Sequence, residues 1–105
     1  MLMTTTATLD GRPVSQYLGV VNGEAIIGAN LFKDMFASIR NVVGGRAGSY
    51  ERTLSNARRI AMDEMAAEAK RLGANAVIGI DVDYEVLGTD NGMLMVCVSG
   101  TAVKV

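Results

Sequence analysis

The chain has 105 residues, of which 50% are hydrophobic and 20% are charged, and its formal net charge is −1. This length predicts a single domain, and a charge so close to neutral argues against nucleic acid as a partner. Histidine is absent and Cys97 is the only cysteine, which excludes an intrachain disulfide, a histidine-based triad and a zinc site of Cys/His type within one subunit.

The N-terminal residues Met1-Leu2-Met3-Thr4 lack the basic start and the long apolar segment of a secretory signal. No apolar run in the chain approaches membrane-spanning length. We therefore expect a soluble, cytoplasmic protein with no membrane partner, and a single cysteine agrees with a reducing compartment.

Two strand-like stretches open the chain. Residues 4–9 favour a strand and are followed by the turn residues Asp10-Gly11-Arg12-Pro13, which predicts a short peripheral strand. Residues 14–29 also have a strand pattern, but Asn22-Gly23 interrupts it. Asn-Gly between apolar runs is typical of a two-residue hairpin, although a bulge in one long bent strand would use the same glycine. We expect two short strands around a turn.

Residues 30–43 have the pattern of a short helix. Asn30 can cap it, and Gly44 can end it. The apolar residues that recur at helical spacing are Leu31, Phe32, Met35, Phe36, Ile39, Val42 and Val43.

A longer helix is predicted over residues 50–72, with Gly73 closing it. At about 100° per residue its apolar stripe contains Tyr50, Leu54, Ala57, Ala61, Met65, Ala69 and Leu72. The alanines predict a close approach to a sheet. Arg58 and Glu68 project near this stripe, where they either extend past apolar neighbours into water or form a polar link to another subunit.

The loop before this helix is rich in glycine and contains Arg46. Its backbone donors and the helix dipole would attract an anion, but it lacks both the Lys-Ser/Thr ending of a P-loop and the dinucleotide fingerprint. The alternative is a tight connector in which Ser49 caps the helix and Glu51 lies in its first turn. The candidate residues for a ligand or a subunit contact are Gly44, Gly45, Arg46, Gly48, Ser49, Tyr50 and Glu51, together with Arg40.

A strand is predicted over residues 75–87. One face carries Ala76, Ile78, Ile80, Val82, Tyr84 and Val86, and the other carries Val77, Gly79, Asp81, Asp83 and Glu85. The three carboxylates are spaced about 7 Å apart along that face. They could bind a hard divalent ion if other oxygens joined them, or they could form the solvated end of the strand. A turn at residues 89–92 and a strand at residues 93–105 complete an antiparallel hairpin.

The order strand, helix, strand, strand predicts an α+β domain with two layers. Residues 93–98 are apolar on both faces, whereas one helix covers a single face of a sheet. With seven methionines in the chain, this pattern predicts a homo-oligomer. Cys97, inside this strand, is either a small buried apolar residue or a thiol that a ring brings close to its symmetry mates.

Six collinear segments resemble the YbjQ-like family over nearly the whole chain. They are Gly23-Glu24-Ala25-Ile26, Gly28-Ala29-Asn30, residues 44–51, Leu72-Gly73-Ala74-Asn75-Ala76-Val77, Gly79-Ile80-Asp81-Val82-Asp83-Tyr84-Glu85 and Ser99-Gly100-Thr101-Ala102-Val103. The resemblance implies a dodecin-like β-α-β-β subunit with extra short strands and a short preceding helix, assembled as a ring with five subunits as the expected number. It implies no established activity, and the family carries the description "putative heavy-metal-binding".

Two functions of different classes follow. The first is a non-enzymatic module that binds a metal ion or small ligand at subunit boundaries, and the second is a structural ring that presents its surface to other proteins. An enzyme is not expected, because nothing in the sequence pairs a nucleophile with a base. A divalent or heavy-metal ion is the expected ligand, and its candidate ligands are Asp81, Asp83, Glu85 and Cys97. A soft metal would need Cys97, since no other thiol or imidazole exists.

Overall fold

A computed structural model describes residues 1–28, 48–88 and 92–105, with the backbone alone for residues 48–50. The predicted helix at residues 30–43, residues 44–47 of the glycine-rich loop and residues 89–91 of the last turn lie outside the described residues. The elements in chain order are β1 (Leu2–Met3), β2 (Gln16–Ile27), α1 (Gly48–Arg71), β3 (Ala76–Leu87) and β4 (Met93–Lys104).

The strands form one mixed sheet in the order β1-β3-β4-β2. β4 pairs antiparallel with both β2 and β3, and β1 pairs parallel with β3. With α1 packed on one face of this sheet, the described residues confirm the predicted α+β class with two layers. None of them forms a helix with the length and apolarity that a membrane span requires.

The helix packs on the sheet through the predicted small residues. Ala57, Ala61, Met65 and Ala69 are all buried, whereas the opposite side of α1 faces water. The core they enter is formed on the sheet side by the apolar residues Val21, Ile27, Val77, Ile80, Leu94, Val96, Val98 and Ala102. The stripe of small residues therefore brings the helix backbone close to the strands, as predicted.

The ends of α1 agree in part with the prediction. The helix begins at Gly48, so Ser49 lies in its first turn and is not the predicted N-cap. At the other end, Gly73 has a φ of 88° and donates its N–H to Lys70 O at 2.9 Å, and Ala74 donates to Ala69 O at 3.0 Å. A residue with positive φ and these two bonds ends a helix without leaving its last carbonyls unpaired, so the closing role of Gly73 is confirmed.

The predicted hairpin at Asn22-Gly23 is wrong, because β2 runs without interruption through both residues. The glycine serves a different purpose: a Cβ atom at Gly23 would clash with the carbonyl oxygen of Ala61 and lie 2.9 Å from Met65 N. The irregularity in β2 falls earlier, between Tyr17 and Gly19, where Gly19 has a φ of 125°. Gly23 is therefore a packing glycine beneath α1.

The predicted strand at residues 4–9 is also wrong, since the first strand is limited to Leu2–Met3. Threonine hydroxyls make local bonds instead: Thr4 Oγ1 lies 3.0 Å from Thr6 Oγ1, and Thr6 Oγ1 donates to Thr8 O at 2.7 Å. Such bonds compete with a regular strand ladder. The carbonyls of Thr4 and Thr6 still accept hydrogen bonds from Ile80 N at 3.1 Å and Gly79 N at 2.8 Å.

A bulge at Gly79 reverses the faces of β3. The register with β4 shifts between Ile78 and Asp81, and Gly79 has a φ of 62°. Val77 and Ile80 consequently both enter the core beneath α1, whereas Ile78 packs on the opposite side of the sheet. The prediction of one continuous apolar face is wrong for Ala76 and Ile78. Beyond the bulge, the predicted alternation of carboxylates with apolar residues is confirmed.

The face of the sheet opposite α1 is called the open face below. At one end it is covered by the N-terminal segment, in which Leu9 and Val14 pack on a small cluster formed by Ala76, Ile78 and Val103. The other end, formed by the later part of β3 and the first half of β4, has no such cover among the described residues.

Candidate functional site

Cys97 lies near the centre of the open face, between two carboxylates. On β4 it pairs in register with Asp83 of β3 on one side and with Glu24 of β2 on the other. Side chains directly opposite each other on adjacent strands have Cβ atoms about 5 Å apart. One row across three strands therefore contains a carboxylate, a thiol and a carboxylate.

The neighbouring rows add further polar and soft groups. Ser99 pairs with Asp81 in the row on one side, and Met95 pairs with Glu85 in the row on the other. The four residues predicted as metal ligands, Asp81, Asp83, Glu85 and Cys97, thus lie on the same face. Met95 adds a thioether two residues from the thiol, and soft metals bind both kinds of sulfur.

Glu24 and Met95 were missed by the sequence analysis. Glu24 is a lone acidic residue in an apolar strand, which is a signal that the sequence contains. The predicted turn at Asn22-Gly23 hid its position, because a turn there does not allow the strand pairing that places Glu24 beside Cys97. Met95 was interpreted as part of an apolar interface. Its relation to Cys97 follows only from the two-residue period of β4 once the open face is known.

The carboxylates on this face repel one another. The pKa of Asp83 is raised, first by a hydrogen bond with Asp81 that favours the protonated carboxyl, then by the negative charge of Asp81, by desolvation and by Glu85. Asp83 thus holds its proton to a higher pH than an isolated aspartate. A bound cation would relieve the same repulsion.

The pKa of the Cys97 thiol is shifted in the same direction as that of Asp83. Its pKa is raised, first by burial and then by the negative charges of Glu24, Asp83, Glu85 and Asp81. The thiol therefore stays protonated at neutral pH. A metal ion at this position would both displace that proton and neutralise the surrounding charge.

One subunit does not form a finished metal site. Among residues 1–28, 48–88 and 92–105, no three side chains of Cys, Asp or Glu are arranged as a ligand set. The face offers donors of the right kinds, and a closed coordination shell needs additional ligands.

Four of the second group of predicted residues belong to α1, which packs on the other face of the sheet. Gly48, Ser49 and Tyr50 form the first turn of α1, and Glu51 follows them half-buried. Gly44, Gly45, Arg46 and Arg40 lie outside the described residues, so the anion site proposed for that loop stays a prediction.

A shallow cavity of about 240 Å³ lies between the end of β2 and the first half of α1, next to Ile27, Thr53 and Ile60. Among the described residues its lining contains no ionisable side chain, and the other described wall residues are Ala25, Ile26, Gly28, Asn56 and Ala57.

The two charged residues noted beside the helix stripe have partners within the chain. Arg58 Nη1 donates to the hydroxyl of Tyr84 at 3.0 Å. Glu68 accepts from Arg71 Nη2 at 2.6 Å and from Arg71 Nε at 3.1 Å, and this pair lowers the pKa of Glu68. These contacts account for both side chains without a second subunit.

The fold and the open face define a small α+β protein in which acidic and sulfur-containing side chains share one exposed sheet surface. A family model described as "Putative heavy-metal-binding" matches residues 1–105. The chain therefore belongs to the YbjQ family, as its sequence motifs indicated.

A solved structure supports the fold. The chain is similar to a crystal structure of a protein with unknown function that belongs to the DUF74 family, from Pediococcus pentosaceus. The sequences are 16% identical, the match covers 100% of this chain and 97% of the other, and the TM-score is 0.61. At this identity the likeness extends to the fold alone.

Proposed function

We propose that this protein is a non-enzymatic, homo-oligomeric module that binds a heavy-metal or other divalent ion on its open face, with the coordination shell completed at a boundary between subunits. The observation that carries the proposal is the position of Cys97 between Glu24 and Asp83. The description of the family agrees with it.

The chemistry of the donors favours a thiophilic or borderline metal. Cys97 and Met95 supply sulfur, and Glu24 and Asp83 supply oxygen that neutralises a divalent charge. A hard ion such as Mg²⁺ would be held by the carboxylates alone, and the described residues do not arrange three of them as a ligand set. Zinc, copper(I) and cadmium are therefore the ions to test first.

The need for a second subunit follows from the incomplete ligand set and from exposed apolar side chains. Tyr17 is 70% exposed, Val20 82% and Ile26 58%, and all three lie on β2, at the edge of the sheet. Apolar side chains grouped in this way are typical of a surface that another protein covers. We propose a ring, with five subunits as the expected number and the cytoplasm as its location.

The test is native mass spectrometry combined with metal titration. Wild-type protein purified without added metal is compared with Cys97→Ser and with Glu64→Gln, which removes an exposed acid from α1. We expect wild type and Glu64→Gln to form the same oligomer and to bind zinc or cadmium, and Cys97→Ser to form that oligomer with binding at least about tenfold weaker.

Three outcomes contradict the proposal in different ways. Equal binding by wild type and Cys97→Ser would remove the thiol from the site. A stable oligomer that binds none of the three metals would favour the second candidate, a structural ring whose exposed apolar residues on β2 contact other proteins. A dilute wild-type sample that sediments as a monomer would refute both.

A further inference from the structure

The outer edge of β3 is only partly paired. β4 lies along one side of the strand, and on the other side β1 pairs with Ala76 and Val77. The carbonyls of Thr4 and Thr6 then accept the N–H groups of Ile80 and Gly79. Among the described parts of the chain, nothing pairs with this side of residues 81–87. An unpaired strand edge is a template for another strand.

This edge separates two different rows of side chains. On the open face it carries the carboxylates of Asp81, Asp83 and Glu85, all exposed. On the face of the sheet against which α1 packs, the strand carries Val82, Tyr84 and Val86. Tyr84 is 47% exposed and Val86 is 51% exposed. Negative and apolar side chains therefore alternate along one accessible strand.

The helix leaves the apolar row accessible. α1 packs mainly on β2 and β4 and only marginally on β3. Across the space between them, the guanidinium of Arg58 reaches the hydroxyl of Tyr84. The side chains of a strand added to this edge would have room beside Tyr84 and Val86.

We propose that residues 81–87 bind an extended segment of another protein in which Lys or Arg alternates with apolar residues, as a strand added to the edge of the sheet. Main-chain hydrogen bonds would supply affinity, and side chains on the two faces would supply specificity. The basic side chains would lie beside the carboxylate row, where opposite charges on neighbouring strands attract. The apolar side chains would lie beside Tyr84 and Val86.

Charge argues against a strand of a second copy as the occupant. The described strands contain one basic residue, Lys104, at the very end of β4. The strand at the other edge of the sheet is β2, and its charged residue, Glu24, is acidic. β2 of a second copy would therefore bring no basic side chain to the carboxylate row and would add one further carboxylate. The proposal needs no bound metal, although Asp83 belongs to both surfaces.

The experiment uses full-length protein in buffer with EDTA and fluorescent seven-residue peptides. One peptide alternates Lys and Val, and its control has the same composition with the lysines in one block. We expect the alternating peptide to bind at least about tenfold more tightly and to lose affinity as salt is added. In two further peptides the backbone nitrogens of all lysines, or of all valines, carry a methyl group. If the peptide main chain pairs with β3, at least one of these two peptides must lose binding.

Protein variants locate the contact. The double variant Asp81→Asn, Glu85→Gln should bind the alternating peptide about tenfold more weakly, whereas Glu64→Gln should bind it like wild type. Cys97→Ser should keep peptide binding even where it loses metal, which separates this proposal from the proposed function. Equal binding of the block peptide, full binding of both N-methylated peptides, or no effect of the double variant would each overturn the proposal.

Discussion

Gly23 of β2 lies directly beneath the carbonyl group of Ala61 in α1, and the space between the two backbones does not admit a Cβ atom. This contact sets how closely the helix approaches the sheet. It also explains why a glycine occurs in the middle of a long strand, where the residue is otherwise unfavourable.

We predict that Gly23→Ala destabilises the protein by about 2 kcal/mol or more, because inserting a methyl group between two backbones forces the helix outward. The matched control is Gly28→Ala, where a Cβ atom would meet no atom of the described residues within 4 Å. Urea denaturation monitored by circular dichroism measures both. Similar midpoints for the two variants would show that α1 can move away from β2 at little cost.

The cap of α1 gives a second prediction. A Cβ atom at Gly73 would meet only the Lys104 side chain, at an ordinary 3.7 Å, so any cost of Gly73→Ala comes from the φ of 88°. We expect a loss of about 1 kcal/mol in unfolding free energy. Gly73→Asn should lose less, because asparagine adopts this backbone conformation more readily. Thermal melts of the three proteins check the order, and an alanine variant as stable as wild type would contradict it.

The raised pKa of Cys97 predicts slow reaction with alkylating agents at neutral pH, since the thiolate is the reactive form. Removing a neighbouring negative charge should lower this pKa, so Glu24→Gln should react faster than wild type at the same pH. The measurement is the rate of iodoacetamide labelling between pH 6 and pH 10, with Glu64→Gln as control. Identical pH profiles for all three proteins would show that Glu24 does not act on the thiol.

The raised pKa of Asp83 predicts a pH dependence of stability with a definite sign. The folded state binds the proton more tightly than the unfolded state, so this group favours folding below its unfolded pKa. The advantage is lost as the pH rises through the folded pKa, and at neutral pH the ionised carboxylate opposes folding.

Asp83→Asn should therefore be more stable than wild type at pH 7, with a smaller difference at pH 3. Urea denaturation at both values measures this, again with Glu64→Gln as control. A variant that is less stable at pH 7 would mean that the carboxylate has a favourable partner in solution.

The sequence predicted the elements that depend on regular spacing. The buried stripe through Ala57, Ala61 and Met65 was predictable because a helix repeats every 3.6 residues, and the row of Asp81, Asp83 and Glu85 because a strand repeats every two. The closing glycine of α1 follows from its position after the last apolar residue of the stripe.

The remaining features depend on contacts between distant residues. The role of Gly23 comes from a helix that starts 25 residues later in the chain, whereas the Asn-Gly signal is purely local. The bulge at Gly79 is held by hydrogen bonds to carbonyls of the N-terminal segment. The two-residue alternation of β3 does not predict it. The pairing of Cys97 with Glu24 could not be predicted for the same reason. It depends on the register between β2 and β4, and β2 had been predicted to turn at Asn22-Gly23.

The bulge at Gly79 also decides which surface of this protein is negative. Before it, Ala76 and Ile78 point away from α1, and after it Asp81 and Asp83 do. In an uninterrupted strand that kept Ala76 and Ile78 in place, the two-residue alternation would direct the carboxylates toward the helix and Ile80 and Val82 toward water. Deleting Gly79 together with its bulge would instead pair Ile80 with Gly100 and leave Asp81 opposite Ser99, so the carboxylates would keep their face. The polarity of this strand therefore depends on how one extra residue is accommodated in the ladder.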